Sequence, residues 1–233
     1  MRTFYASGIT TSPTVKLVSR HGSSIWPSWC CRNRKRNKRL LPMSPRASKI
    51  INIVLYQAGW FSCVLGAAWG YPIRGALGAL LLLVLHLLLA ESRRAELRLM
   101  FCACLLGAVV DSAQQALGVF MFRDDPGWSL WLPLWVFVIW MQFATLFHYA
   151  LSWLAGHYLL GALLGLVGGP LAYWGGVRLG AASFGDNLPL SLSSLALVWA
   201  LVTPLLLWLS ERGEGSEGRY RQLLPTRGGP DDL

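Results

Sequence analysis

The sequence predicts an all-α integral membrane protein, a bundle of six transmembrane helices with both termini cytoplasmic. Three observations predict it. Of 233 residues, 54% are apolar and only 14% charged, whereas a water-soluble domain carries about 25% charge. Between positions 50 and 210 stand six basic residues, Arg74, Arg93, Arg94, Arg98, Arg123 and Arg178, and six acidic ones. Something other than water must surround most of that span. The apolar residues also fall into six stretches, each near the ~20 residues a bilayer requires. Together these features exclude a soluble enzyme, a secreted disulfide scaffold and a nucleic-acid-binding domain as the main body.

Residues 1–42 stand apart. They hold nine of the 21 basic residues and no acidic one, so the net charge of +10 falls to +1 without them. The run W-C-C-R-N-R-K-R-N-K-R-L-L-P at 29–42 has no helical period. It reads as a basic, disordered extension. Two explanations stand: a start site assigned upstream of Met43, or a cytosolic arm touching anionic headgroups at about 1 kcal/mol per basic residue. No apolar region of signal-peptide length precedes the cluster.

The six stretches run over about 50–69, 72–90, 97–122, 128–150, 157–180 and 189–210. Gly70-Tyr71-Pro72, Glu91-Ser92-Arg93-Arg94, Arg123-Asp124-Asp125-Pro126-Gly127, Ala155-Gly156 and Asp186-Asn187 separate them. Basic side chains resist translocation. Eleven of them precede Ile50, three lie in the second loop and four in the tail, against Arg74, Arg123 and Arg178 on the other side. Both ends are therefore expected inside, and the Gly- and Pro-bearing tail 211–233 is expected to be disordered.

Small residues mark helix packing. On the fifth stretch Gly161, Gly165 and Gly169 form one ridge, and Gly168, Ala172, Gly176 and Gly180 another. Such ridges let backbones approach closely in lipid, which predicts a central fifth helix. Ser62, Gly66 and Gly70 make a shorter ridge on the first. Trp60, Trp69, Trp128, Trp131, Trp135, Trp174 and Trp208 mostly fall near stretch ends and suit an aromatic belt without a ligand.

Four segments carry a family resemblance: N-I-V-L-Y-Q-A-G-W-F at 52–61, G-A-V-V-D-S at 107–112, L-P-L-W-V at 132–136 and G-G-P-L-A-Y-W-G-G-V-R-L-G-A at 168–181. They resemble a family of small bacterial inner-membrane proteins catalogued only as a domain of unknown function. The resemblance covers roughly 50–210 and does not reach residues 1–42. Members are often encoded beside enzymes resembling cyclopropane-fatty-acid synthases. The resemblance therefore implies a multi-pass protein of the bacterial inner membrane with a role near lipid modification. It implies no catalytic residue.

Chemistry must come from polar residues within the stretches, which are costly in lipid and mark function by default. Asn52, Gln57, His86, Gln142, His148 and His157 share a level within roughly 12 Å of the cytoplasmic ends of their helices. The first five form a candidate polar site that could hold a headgroup, shuttle a proton or bind a metal; interhelical hydrogen bonding or a wet interfacial position is the favoured explanation of them. The sequence places no HExxH, no His pair at i, i+4 and no carboxylate at their level, so no metal and no cofactor is assigned. Asp111 lies deeper, about 20 Å from the cytoplasmic end. Arg74, level with it on the second helix, is its candidate partner in a buried ion pair, with Gln114, Gln115 and Tyr173 nearby. The competing reading sends Arg74 outward to the interface and leaves Asp111 bonded to hydroxyls and amides. Cys63, Cys102 and Cys104 form no CxxC and no redox pair.

Two function classes follow. One is a non-catalytic accessory or scaffold of membrane lipid modification, whose partners are membrane lipids and a lipid-modifying enzyme but no nucleic acid. The other is an intramembrane enzyme or carrier acting on a lipid or small molecule through the polar residues of the cytoplasmic half. Scarce polar residues, with no paired halves of broken helices, favour the first.

Overall fold

The structure, a computed structural model, describes residues 44–123 and 131–223, with side chains as far as Gly213. The basic extension, Trp128 and the last ten residues of the tail lie outside them. The chain here is mostly helical. Helix α1 (Pro45–Ala68) starts where Ser44 Oγ accepts from the Ala47 N–H at 3.2 Å, with Pro45 in the first turn, a position where the missing proline N–H costs nothing. Gly70, at φ 82°, turns the chain into α2 (Pro72–Leu89). Arg93 Nε donates to the Leu87 carbonyl at 3.0 Å, placing a cation on the C-terminal end of α2. It also opens α3 (Arg93–Ala116).

Beyond α3 the third stretch departs from expectation. Helix was expected to Phe122, but Gly118 at φ 65° breaks it, and Phe120–Phe122 form strand β1. Strand β2 (Ala182–Phe184) pairs with it antiparallel, Phe120 opposite Phe184. Arg123, just past β1, donates to the Ala68 carbonyl at the end of α1 at 2.6 Å.

The fourth stretch differs more. Its α-helix, α4 (Leu134–Ala144), has 11 residues and spans only about 16 Å. From Thr145 to Ala155 most of the backbone closes tight i→i−3 hydrogen bonds, ending in a 3₁₀ turn at Ser152–Leu154. Yet no residue in 132–150 is exposed. This segment is the centre of the bundle, with α1, α2 and α3 packed around it. Irregular backbone is tolerated at such depth because protein surrounds it.

Helix α5 (Tyr158–Leu179) ends at Gly180, φ 89°, and contains Pro170. Helix α6 (Leu188–Leu223) continues past the expected end at Ser210. Glu211 is thus helical rather than part of a disordered tail. Its carboxylate accepts from the Gly156 N–H at 2.6 Å and from the Tyr158 hydroxyl at 2.5 Å, tying α6 to the start of α5. Helix α5 is not central: it packs mainly on α6, and among its residues only Gly161, Gly165, Gly169 and Gly176 are buried. A glycine ridge admits one close neighbour, and the remaining faces stay outside.

Among the described residues four helices are long and apolar enough to cross a membrane: α1, α2, α5, and α6 from Leu188 to Gly213. Helix α3, whose first turns carry Arg93, Arg94, Glu96 and Arg98, is not among them, and α4 is too short. The outer surface carries large exposed apolar side chains, Leu81, Leu159, Leu163 and Leu201 among them, as expected of helices facing hydrocarbon.

Candidate functional site

One helix organises both polar regions. The buried face of α3 runs through Glu96, Met100, Ala103, Gly107, Asp111 and Gln114, a spacing of three and four residues that keeps one stripe inward. Glu96 and Asp111 are therefore buried on the same face, about 22 Å apart.

At the Glu96 end the carboxylate bridges two imidazoles. His148 Nδ1 lies 2.8 Å from Oε1 and His86 Nε2 lies 3.2 Å from Oε2. With the carboxylate ionised, it only accepts, and both facing ring nitrogens then donate to it. His86 also stands edge-on to Tyr149, ring centroids 5.2 Å apart. Glu96 and His148 line a cleft of about 310 Å³ with Ser48, Lys49, Glu91 and Tyr149. The absence of a carboxylate at this level is thus corrected. Glu96 looks like part of an arginine-rich loop, but the turn at Ala90–Ser92 is short and helical phase carries Glu96 inward while Arg93, Arg94 and Arg98 point out. Among the described residues no group of three His, Cys, Asp or Glu side chains is placed to hold a metal.

The other members of the expected polar site separate. Asn52 donates to the Thr145 carbonyl and hydroxyl, both at 3.2 Å, and accepts from the Ala150 N–H at 3.3 Å. Gln142 donates to the Ala79 carbonyl at 2.8 Å, and Thr145 Oγ1 donates to the Gln142 carbonyl at 2.7 Å. These side chains hold the irregular fourth segment in place. Gln57, expected to face the interior, is exposed on α1, and His157 is exposed at the start of α5. Only His86 and His148 share a centre.

The expected ion pair between Arg74 and Asp111 does not form. Arg74 is exposed, its guanidinium 4.7 Å from the centroid of the Tyr71 ring. Asp111 accepts instead from the Trp140 indole N–H at 2.7 Å and from the Tyr173 hydroxyl. The two residues share a level but not a direction. Helix α2 buries Gly75, Ala76 and Ala79, leaving Arg74 outside, while α3 turns Asp111 toward α4 and α5. Arg74→Ala is expected to change stability by no more than about 0.5 kcal/mol, as for other exposed side chains, in a denaturant titration of the purified protein.

Asp111 and Tyr173 line a cavity of about 220 Å³ enclosed by α1, α4, α5 and α6. It exceeds the ~150 Å³ apolar cavities known to admit benzene or xenon. Along α5 it extends from Leu164 to Gly176, about 18 Å. Its walls are largely aromatic. Trp140 and Trp199 stack with centroids 5.0 Å apart and planes at 13°, and Tyr56, Trp60, Trp135 and Phe143 complete them. Leu164 and Gly168 are both exposed and part of the lining, so the cavity opens sideways between α1 and α5.

The glycines divide between two duties. Gly161 meets Leu207, while Gly165 and Gly169 lie against Trp199, so all three seat α6. Gly165, Gly168, Gly169 and Gly176 all border the cavity, but only at Gly168 and Gly176 would an added methyl group meet nothing within 4 Å. Gly180 serves as the α5 C-cap. On α1, Ser62 Oγ donates to the Gly75 carbonyl at 2.9 Å and Gly66 crosses close to Gly75, while Gly70 belongs to the turn. Trp69, Trp131, Trp174 and Trp208 are exposed as a belt requires, but Trp60 and Trp135 turn inward to the cavity. Trp140 and Trp199 gave the clearest missed signal, because both lie in mid-stretch, away from any interface.

No curated protein and no solved structure matches this chain. Residues 49–205, from near the start of α1 to the middle of α6 and so including both polar regions, match one family, described as a protein of unknown function. The chain belongs to that family, DUF2878.

Proposed function

We propose that this protein is a six-span membrane protein that holds an apolar lipid chain in the aromatic cavity, and that it acts as an accessory component of membrane lipid modification in the bacterial inner membrane. The observation that carries the chain-binding reading is the cavity: elongated, apolar, and open sideways between two helices that face hydrocarbon. Its dimensions favour a chain over a compact solute. The role beside a lipid-modifying enzyme draws on the resemblance of the sequence to proteins encoded near such enzymes.

In this reading α3 and the fourth segment also cross the membrane, α3 with one apolar face outward and the fourth segment enclosed by α1, α2 and α3. Both termini are cytoplasmic, because basic residues concentrate on that side. Reporter fusions after Lys49, at Arg123 and after Ser210 are expected to read inside, outside, inside. A C-terminal fusion reading outside overturns the six-span count.

The binding reading is tested by filling the cavity. Gly168→Leu combined with Gly176→Leu adds side chains whose first carbon meets no atom within 4 Å, and leucine is the better helix former. Stability is expected to hold or rise. Lipid retained by the purified full chain, read by native mass spectrometry, is expected to fall at least tenfold. Equal lipid retention by variant and parent overturns the reading.

A second reading, an intramembrane enzyme or carrier, is favoured by Glu96 between His86 and His148 at the edge of a cleft that also holds Lys49. A carboxylate orienting an imidazole is an arrangement that general acid–base catalysis uses.

A further inference from the structure

The cavity is apolar in area but not in its fixtures. The indole N–H groups of Trp135 and Trp199 and the hydroxyl of Thr203 have no hydrogen-bond partner. All three residues line the cavity, and they are 4%, 8% and 1% exposed. The Trp199 indole packs beside Tyr173, ring centroids 6.1 Å apart; Tyr173 donates its proton to Asp111 and keeps an oxygen able to accept from that indole, so Trp135 and Thr203 carry the argument. Buried polar groups are nearly always satisfied, and an unsatisfied donor costs about 1–3 kcal/mol. Two such groups on one cavity, with the Trp199 indole beside them, point to an occupant that satisfies them.

The chemistry of the three groups specifies that occupant. An indole N–H can only donate, so the ligand must bring acceptor oxygens. An anionic acceptor fits poorly: among the described residues no Lys, Arg or His lines the cavity, and Asp111 does. A cationic amphiphile would face Asp111 and the aromatic walls but leave the donors unsatisfied. Resting on the chain-binding reading above, we infer that the cavity takes a neutral lipid whose chain carries carbonyl oxygens, an ester or a ketone, read by Trp135, Trp199 and Thr203.

Three probes of equal chain length separate the possibilities: methyl stearate, octadecane and octadecylamine, each added to the delipidated full chain in detergent and quantified by native mass spectrometry. Methyl stearate is expected to bind about tenfold more tightly than either of the others. Thr203→Val, which removes a hydroxyl with little change of shape, is expected to weaken the ester about three- to tenfold and leave octadecane unchanged; Trp135→Phe, which also removes a ring from the wall, is expected to weaken the ester about three- to tenfold more than the alkane. Equal binding of ester and alkane, or equal losses for both in the variants, overturns the inference and leaves chain binding intact. Tighter binding of the amine assigns the cavity to cations and overturns the inference too. Binding of none of the three sinks the chain-binding reading, and this inference with it.

Discussion

Glu96→Ala is expected to destabilise the protein by about 3 kcal/mol or more, because it removes the shared acceptor of two buried imidazoles in one step. Glu96 Oε1 and Oε2 each serve a different histidine, 2.8 and 3.2 Å away, from elements far apart in sequence. Without the carboxylate, the His86 and His148 N–H groups face each other across a buried gap. Glu96→Gln keeps one acceptor oxygen and turns the other into a donor aimed at a donor, so an intermediate loss is expected. Denaturant titration in detergent at neutral pH measures both. A Glu96→Ala protein within about 1 kcal/mol of the parent contradicts the bridge.

Gly165→Leu is expected to be as damaging for a different reason. The first added carbon would collide with the Trp199 carbonyl oxygen and the Thr203 hydroxyl of α6. A helix carbonyl cannot rotate away, so the two helices must separate along their whole seam. Overpacking costs about 1–3 kcal/mol, and a loss near 3 kcal/mol is expected here because the obstacle is backbone. Gly168→Leu, three residues along the same helix, is the control: it meets no neighbour and is expected to leave stability unchanged. Equal melting of the two single variants would show that the ridges are not divided between packing and cavity.

The limits of α2 and α5 were legible because local chemistry sets them: Pro72 opens α2 and Gly180 closes α5. The sequence reading starts α1 at Ile50, whereas Ser44 and Pro45 begin the helix five residues earlier. The fourth stretch was not legible. It is apolar on every side, so no period marks where α4 stops, and the burial that explains its composition depends on helices elsewhere in the chain. Glu96 was legible in principle, being in helical phase with Gly107 and Asp111, but its arginine neighbours masked the phase. The partner of Asp111 was not, since depth along a helix says nothing about which way a side chain turns. Neither was the cavity, because Gly168 and Gly176 look in sequence like any other packing glycine, and only the fold shows that nothing fills the space beside them.

Helix α5 is pinned at both ends. Strand β2, just beyond its C-terminus, is hydrogen-bonded to β1 after α3, and at its start Tyr158 and Gly156 are bound to Glu211 of α6. Neither end is free to swing like a door. The middle is softer: Pro170 removes one backbone hydrogen bond next to Gly168 and Gly169, beside the mouth of the cavity. With both ends held, α5 is weakest at its midpoint, beside the mouth of the cavity. On the chain-binding reading proposed above, the stiffness of that one helix, rather than a loop facing water, would set how readily a lipid chain enters.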